Sequence, residues 1–198
     1  MNSPIPPKHI AAIIIVIVTG VFAICATRYF EHINSELQHA EAAITEKKYR
    51  DARKILEPLA KNRNPKAARM LGELYDFGHG VAQNFYTSRK FYEIAMTGGD
   101  ADGMSHLASL IGQGLGGYDD EKIAEQLSIK AAWLGSVEAK YVQGLMNLWG
   151  YRTKPNYESA FKFFHDAAEK QHGPSELLLA HMYAHGLGVK RMKSKLLI

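Results

Sequence analysis

Hydrophobic and polar positions follow two different patterns along this chain. Residues 10–26, IAAIIIVIVTGVFAICA, are apolar or small without a single charge, and Lys8 and Arg28 flank them. Behind this segment, apolar and small residues recur at offsets of three, four and seven, which place them on one face of a helix. The sequence therefore predicts one apolar segment followed by an all-α domain.

The apolar segment is long enough to cross a membrane. At about 1.5 Å per residue, the roughly 20 residues from 9 to 28 would span a hydrocarbon core. The alternative is a cleaved signal peptide, because the run ends in the small residue Ala26. However, the run exceeds the roughly 7–15 apolar residues of a signal peptide. We therefore predict a transmembrane anchor or uncleaved signal over 9–28, behind a short tail over 1–8.

The orientation of this segment has little support from charge. Lys8 on one side and Arg28 on the other give almost no positive-inside bias. A signal-like first segment with a large domain behind it favours export. We expect a single-pass inner-membrane protein whose domain lies in the periplasm of a bacterium, or in a lumen.

The domain is built from an internal repeat. The phrase LGELYDFGHGV at 71–81 returns as LAHMYAHGLGV at 179–189, and related phrases begin at 107 and 143, so the period is 36 residues. A period of this size is typical of helical solenoids. A glycine recurs near the end of each phrase, at Gly78, Gly114, Gly150 and Gly186, and the first and fourth phrases have a second one at Gly80 and Gly188. A small residue recurs near the start of each phrase, at Gly72, Ala108, Gly144 and Ala180.

Each repeat unit is predicted to contain two helices. A glycine can adopt the left-handed conformation that ends the first helix, here called helix A. Asn84, Asp120 and Asn156 then precede a second helical pattern, helix B, and Asn and Asp are preferred helix N-caps. The predicted organisation is a lead-in helix and half-repeat at 31–66, repeats at 67–100, 101–136 and 137–173, and a truncated fourth repeat with a basic tail at 174–198.

The repeat pattern resembles a known family. The spacing A-x-x-x-L-G-x-L-Y-x-x-G-x-G-V, followed by an Asn or Asp cap and A-x-x-F-Y-x-x-A, is similar to the Sel-one-like repeat, a relative of the tetratricopeptide repeats. The resemblance covers 67–189 and implies a right-handed α-solenoid. It weakens in the third unit, where Gln143, Asn147 and Arg152 replace the expected Leu, Tyr and Gly.

The resemblance also implies a function. It indicates a non-catalytic adaptor that holds a protein or peptide partner on its concave face, because stacked repeats leave an extended groove. The alternative is a cell-wall-associated or β-lactam-hydrolysing enzyme, as in a cysteine-rich branch of the same family. That branch has disulfide-linked helix pairs, whereas Cys25 is the only cysteine here and lies in the apolar segment.

Composition narrows the partner class further. The chain has 24 basic and 20 acidic residues, and four of the basic ones fall among the last nine residues. The remainder is therefore neutral and has no electrostatic footprint for nucleic acid. Ser and His residues show no spacing that would make a nucleophile–base pair, and Asp119 is interpreted as a turn residue beside the Asp120 cap. We predict neither catalytic residues nor a cofactor.

His181 and His185 raise the question of a metal site. They are four residues apart and could share one helix face. A zinc-peptidase helix would need Glu after the first histidine, but Met182 stands there. The following Gly186-Leu187-Gly188 lacks the strand and the Lys-Ser/Thr of a phosphate loop. We therefore assign both histidines to a variable, partner-facing surface and predict no metal site.

Helix A of the third unit, AKYVQGLMNLWG, has more apolar residues than one packed face needs. Alignment assigns Ala139, Val142 and Met146 to the core. The remaining residues, Tyr141, Leu145, Leu148 and Trp149, are predicted to bind the partner together with His181 and His185. An aromatic–aliphatic cluster of this kind can carry binding energy. In the alternative, the helix is rotated by one residue and Leu145, Leu148 and Trp149 are core.

The repeat pattern fails near the end of the sequence. The fourth cap should fall at position 192, which is Met192, and KRMKSKLLI follows Val189. The fourth helix A is then left without a helix B, although solenoid ends normally need a capping helix. Two interpretations remain: a truncated array with a frayed end, which we favour, or an open end completed by a partner or by self-association.

Overall fold

Helices make up the whole of the described secondary structure. The computed structural model describes residues 7–117, 120–150 and 154–189, with side chains from residue 19 onward, and these ranges contain nine α-helices and no strand. This confirms the all-α prediction. The helices are α1 Pro7–Thr45, α2 Tyr49–Lys61, α3 Pro65–Phe77, α4 Phe85–Thr97, α5 Ala101–Gly112, α6 Glu121–Trp133, α7 Val137–Trp149, α8 Tyr157–Ala168 and α9 Gly173–His185.

The first compact unit extends to Ile55 and contains α1 and the start of α2. Leu37, Ala40 and Ala52 are buried in it. The predicted anchor over 9–28 lies within α1, but the side chains of 9–18 are outside the described part of the chain, as are residues 1–6. Among the described residues, no helix is both long enough and apolar enough to cross a membrane.

The second unit, from Leu56 onward, is a stack of helix pairs. Helices α3 and α4, α5 and α6, and α7 and α8 pack as A–B pairs, and α9 packs on α8. The start of each helix B is set by a side chain that accepts a backbone N–H three residues ahead: Asn84 from Thr87, Asp120 from Ile123 and Asn156 from Ser159. These bonds satisfy N–H groups that the helix itself leaves unpaired.

The A helices have their own series of N-caps, which the sequence analysis did not identify. Asn64, Asp100 and Ser136, again 36 residues apart, accept the N–H of Ala67, Gly103 and Ala139. The fourth member, His172, makes no such bond, although its ring contacts Ser175 Oγ at 2.8 Å. The helix start is therefore specified by side chains in three units and not in the fourth.

Glycines end the A helices in the left-handed conformation. Gly78, Gly150 and Gly186 have φ of 69°, 70° and 68°, and each donates its N–H to the carbonyl four residues before it. Gly114, Gly80 and Gly188 also have positive φ. Arg152 takes the position of Gly80 and Gly188 in the third unit, and it lies outside the described residues. Asp119 and residues 190–198 lie outside them as well.

A glycine in helix A allows a ring from helix B to pack directly on its backbone. A Cβ added at Gly72 would lie 2.5 Å from Cε1 of Tyr92, and one added at Gly144 would lie 2.5 Å from Cε1 of Phe164. Both rings are fully buried. The first and third pairs therefore share one packing arrangement, in which glycine and ring are matched.

A polar cluster connects α3 to α5. The Arg69 guanidinium contacts the carboxylates of Glu73 and Asp100, and His106 Nε2 lies 3.5 Å from Glu73 Oε1. Burial acts to raise the pKa of Glu73, but hydrogen bonds and charge from His106 and Arg69 outweigh it and lower the pKa. Burial, followed by the charge of Asp76, raises the pKa of Tyr92, whose hydroxyl donates to that carboxylate at 3.1 Å.

Candidate functional site

The A helices lie side by side, α3 against α5 and α5 against α7. Their corresponding positions, 36 residues apart, differ in chemistry from unit to unit. We call this set the A-helix face: Arg69, Glu73, Asp76 and Phe77; Ser105, Ser109, Gly112 and Gln113; Tyr141, Leu145, Leu148 and Trp149; Leu177, His181, Ala184 and His185. It changes from charged, to small and polar, to aromatic and aliphatic.

The predicted partner-binding residues of α7 do not form a single exposed patch. Tyr141, Leu145 and Leu148 are half-buried against the core cluster of α8 and α9, whereas Trp149 is 70% exposed. Tyr141 and Leu145 occupy the positions that Arg69 and Glu73 hold in the first unit. There, Arg69 contacts the α5 N-cap Asp100, and Glu73 contacts His106 of α5. Most of this set is therefore packed and Trp149 is not core, while partner binding by these residues stays a prediction.

The residues assigned to the α7 core also need correction. Ala139 is buried as predicted, but Val142 and Met146 are only half-buried, and Gln143 is buried instead. Its amide Nε2 donates to Ser128 Oγ at 3.1 Å. A buried amide is tolerated when it is hydrogen-bonded, so a residue that looks unsuitable for a core is accommodated here.

An apolar groove is lined by residues of α7 and α9, and we call it the terminal groove. It has a volume of about 560 Å³ and is lined by Leu148, Trp149, Leu177, Leu178, Ala180, His181 and Ala184. Leu177 is 73% exposed. The structure therefore brings three of the predicted binding residues, Leu148, Trp149 and His181, to one surface.

The two histidines of α9 interact with each other. Their ring centroids are 4.2 Å apart, and His185 Nδ1 donates to the His181 carbonyl at 2.9 Å. Within the described ranges, the one cluster of three metal-ligating side chains is elsewhere, at His165, Asp166 and Glu169. It lies on the surface, and Asp166 is paired with Lys140 at 3.3 Å. Exposed groups of this kind do not define a metal centre.

A larger cavity, missed by the sequence analysis, lies between the second helix pair and α7. We call it the inter-repeat cavity; its volume is about 870 Å³. Its lining includes Ala108 and Ser128, which occupy the positions that hold Gly72 and Tyr92 one repeat earlier. The equivalent positions 92, 128 and 164 hold Tyr, Ser and Phe. The small serine between two aromatic residues was therefore a sign in the sequence that the second helix pair is packed differently.

Comparison with known proteins identifies the repeat. Four consecutive segments match the Sel1 repeat: 65–100, 101–136, 137–172 and 173–194. The chain belongs to the Sel1 repeat family. Sel1 repeat proteins are generally scaffolds that mediate protein–protein interactions and are generally non-catalytic.

Solved Sel1 structures resemble this chain over most of its length. A Sel1 repeat protein from Oxalobacter formigenes superposes with a TM-score of 0.67 at 27% identity, over 79% of this chain and 62% of that one. An antigen of uropathogenic Escherichia coli with the same fold, c5321, gives 0.60 at 27% identity, over 73% and 31%. These likenesses confirm the solenoid of helix pairs.

Relatives known by sequence are longer than this chain. The mouse protein sel-1 homolog 2 is 38% identical over 63 residues, which are 31% of this chain and 9% of that protein. An uncharacterized protein of Neisseria meningitidis is 26% identical over 137 residues, which are 67% of this chain and 27% of the relative. This Sel1 repeat protein thus spans a small part of the relatives that it matches.

Proposed function

We propose that this Sel1 repeat protein is a membrane-anchored, non-catalytic scaffold that binds a partner protein or peptide on its A-helix face. The observation that carries the proposal is the terminal groove. Its lining, which is apolar except for His181, includes two exposed side chains, Trp149 and Leu177. Contiguous exposed apolar surface of this kind marks interaction sites, and tryptophan is enriched among residues that dominate binding energy.

The chemistry of the A-helix face supports a macromolecular partner. Large exposed side chains stand at the ends of two A helices, Phe77 at 58% and Trp149 at 70% exposure, at positions two repeats apart. A small molecule would occupy one enclosed site, whereas widely spaced anchors match a chain that runs along several repeats. A second copy of this protein is the alternative occupant of the terminal groove.

Replacing Trp149 by alanine is expected to weaken partner capture at least tenfold, roughly the effect of losing a binding hot spot. The side chain is largely exposed, so the melting temperature should not change. Crosslinked pull-downs from native membranes, quantified by mass spectrometry, measure this. Trp133→Ala is the matched control, because Trp133 is 86% exposed on α6, outside the A-helix face. Equal capture by both variants would sink the proposal, and capture of the chain itself would indicate self-association.

Membrane anchoring through residues 9–28, with the repeats outside the cytoplasm, is part of this proposal. It is supported by the charge-free run from Ile10 to Ala26. An alkaline phosphatase fusion after residue 60 should be active in a bacterial host, since the enzyme folds only after export. An inactive fusion at normal abundance contradicts the orientation, and a fusion released from membranes by carbonate contradicts the anchor.

A further inference from the structure

The outward side of α6 is apolar at positions where the other two B helices are mostly polar. Equivalent positions of the three units, 36 residues apart, are Ile129, Trp133 and Leu134 in the second, Glu93, Thr97 and Gly98 in the first, and His165, Glu169 and Lys170 in the third. Trp133 is 86% exposed and Leu134 is 53% exposed. Neighbouring exposed apolar side chains of this size mark a surface that binds something.

This side of α6 points away from α5. Ala124 and Ala131 are buried in clusters with apolar residues of α5, and they define the packed side of α6. At about 3.6 residues per turn, the exposed residues lie on the opposite side of the helix. We call this set the α6 outer face: Lys122, Gln126, Ile129, Lys130 and Trp133, with Leu134 at the C-cap. Contact through it does not use the A-helix face.

Lysines surround the apolar residues of the α6 outer face. Lys122 and Lys130 belong to it, and Lys162 of α8 lines, together with Trp133, a cleft of about 410 Å³. None of these three lysines forms an ion pair with another described residue. Their charges are therefore available to a ligand.

Acidic groups nearby do not offset this charge. Asp166 in the cleft lining is paired with Lys140 at 3.3 Å, so Lys162 remains as the excess charge of the cleft. Glu121 and Glu125, the two acidic residues of α6, line the inter-repeat cavity instead. The α6 outer face contains no acidic residue, so both it and the cleft are net positive.

This combination of residues fits a lipid surface better than a protein. Lysine is depleted at protein–protein interfaces, whereas segments that lie on membranes combine tryptophan and aliphatic residues with lysines that attract anionic headgroups. Tryptophan prefers the headgroup level, and the long stem of lysine lets its ammonium group stay there as well. Two apolar side chains bind a bilayer weakly, but tethering raises their effective concentration at the membrane.

We infer that the α6 outer face contacts the surface of an anionic lipid bilayer. Trp133 and Leu134 enter the headgroup region, and Lys130 and Lys162 lie against lipid phosphates. This inference rests on the proposed membrane anchoring and adds a second attachment, made by the repeat stack itself. The A helices stay available to a protein partner, so Trp133→Ala leaves capture of that partner unchanged.

Quenching of tryptophan fluorescence by brominated lipid tests the inference. The chain has two tryptophans, so Trp149→Phe leaves Trp133 as the reporter, and Trp133→Phe leaves Trp149 on the A-helix face as the matched control. Each full 198-residue chain is reconstituted into vesicles of phosphatidylcholine and phosphatidylglycerol, with or without bromine on the acyl chains. We expect Trp133 to lose roughly half of its emission and to shift to shorter wavelength, while Trp149 changes little. Absence of quenching at Trp133, or equal quenching of both, would overturn the inference.

A charge reversal tests the role of the lysines. Lys130→Glu, made in the chain that retains Trp133, should reduce quenching in vesicles with phosphatidylglycerol, and the difference should shrink at high salt. Lys61→Glu is its control, because Lys61 is exposed on α2, outside the α6 outer face. Helical circular dichroism and melting temperature should match the parent chain for both variants. Equal quenching of Lys130→Glu and Lys61→Glu would contradict an anionic surface as the ligand.

A carbonate wash of the same vesicles separates the inference from the proposed anchoring. If the chain is retained and Trp133 is not quenched, the anchor stands and the inference is wrong. If the chain is washed off, although Trp133 was quenched before the wash, the anchor is wrong and the surface contact stands. Loss of a captured protein on Trp133→Ala, with Trp133 unquenched in vesicles, would assign the α6 outer face to a protein partner and overturn the inference.

Discussion

Replacing Phe164 by alanine is expected to destabilise the repeat stack by about 3–5 kcal/mol, the usual cost of deleting a buried ring and leaving its cavity. Phe164 is fully buried, packs on Gly144 and lies in the cluster with Leu179 and Met182 that holds α9 on α8. The lost contacts therefore affect both the third pair and the helix that follows it. Urea denaturation followed by helical circular dichroism measures the change, and the melting temperature should fall by about 10 °C.

The control for this substitution is Trp133→Ala, an aromatic truncation at a side chain that is 86% exposed. A surface change of this kind is expected to alter stability by no more than about 0.5 kcal/mol. Similar losses from the two substitutions would mean that the glycine–ring packing is not what holds the third pair together.

Replacing Gly116 by alanine is expected to cost about 2–5 kcal/mol, by adding overpacking to the strain of a left-handed backbone. Gly116 has φ of 75°, and an added Cβ would lie 2.4 Å from the carbonyl oxygen of Phe85. This is a contact with helix backbone, which cannot rotate away as a side chain can. The same relation holds two repeats later, where an added Cβ at Gly188 would lie 2.4 Å from the carbonyl oxygen of Tyr157.

Gly99→Ala separates the two contributions. Gly99 has φ of 84°, but nothing lies within 4 Å of the Cβ that alanine would add. It should therefore show only the conformational cost of about 1–2 kcal/mol. Melting temperatures of the two variants, measured side by side, give the contribution of the close approach. If Gly116→Ala is no worse than Gly99→Ala, the turn does not lock one repeat against the previous one.

The repeat architecture could be predicted because it depends on each residue's own backbone preference. Asn84 caps a helix, and Gly78 adopts a left-handed conformation, for reasons local to a few residues. When such residues recur every 36 positions, the helices and turns follow. The cap series Asn64, Asp100 and Ser136 was equally periodic. This series was not recognised from the sequence for two reasons. Its fourth member, His172, is not a preferred N-cap, and its first member, Asn64, lies before the first repeated phrase at 71–81.

The surface could not be predicted as well, because it depends on pairs of residues from different helices. Gln143 looks unsuited to a core until Ser128, 15 residues earlier, is seen to accept its hydrogen bond. Tyr141 and Leu145 look surplus on one helix, yet they pack against the core cluster of α8 and α9. Trp149, at the end of α7, stays 70% exposed among the described residues. Patterns along one helix do not show what the next helix supplies.

The central claim is that the A-helix face binds a partner, and site-specific photocrosslinking in cells of the source organism tests it most directly. A photoreactive phenylalanine analogue would replace Trp149, Leu177 or Gln113 on this face, and Trp133 or Ile129 on α6, all of them exposed. The account predicts the same discrete protein adduct from the A-helix positions and none from the α6 positions. Adducts from α6 alone, or equally from every position, would contradict it.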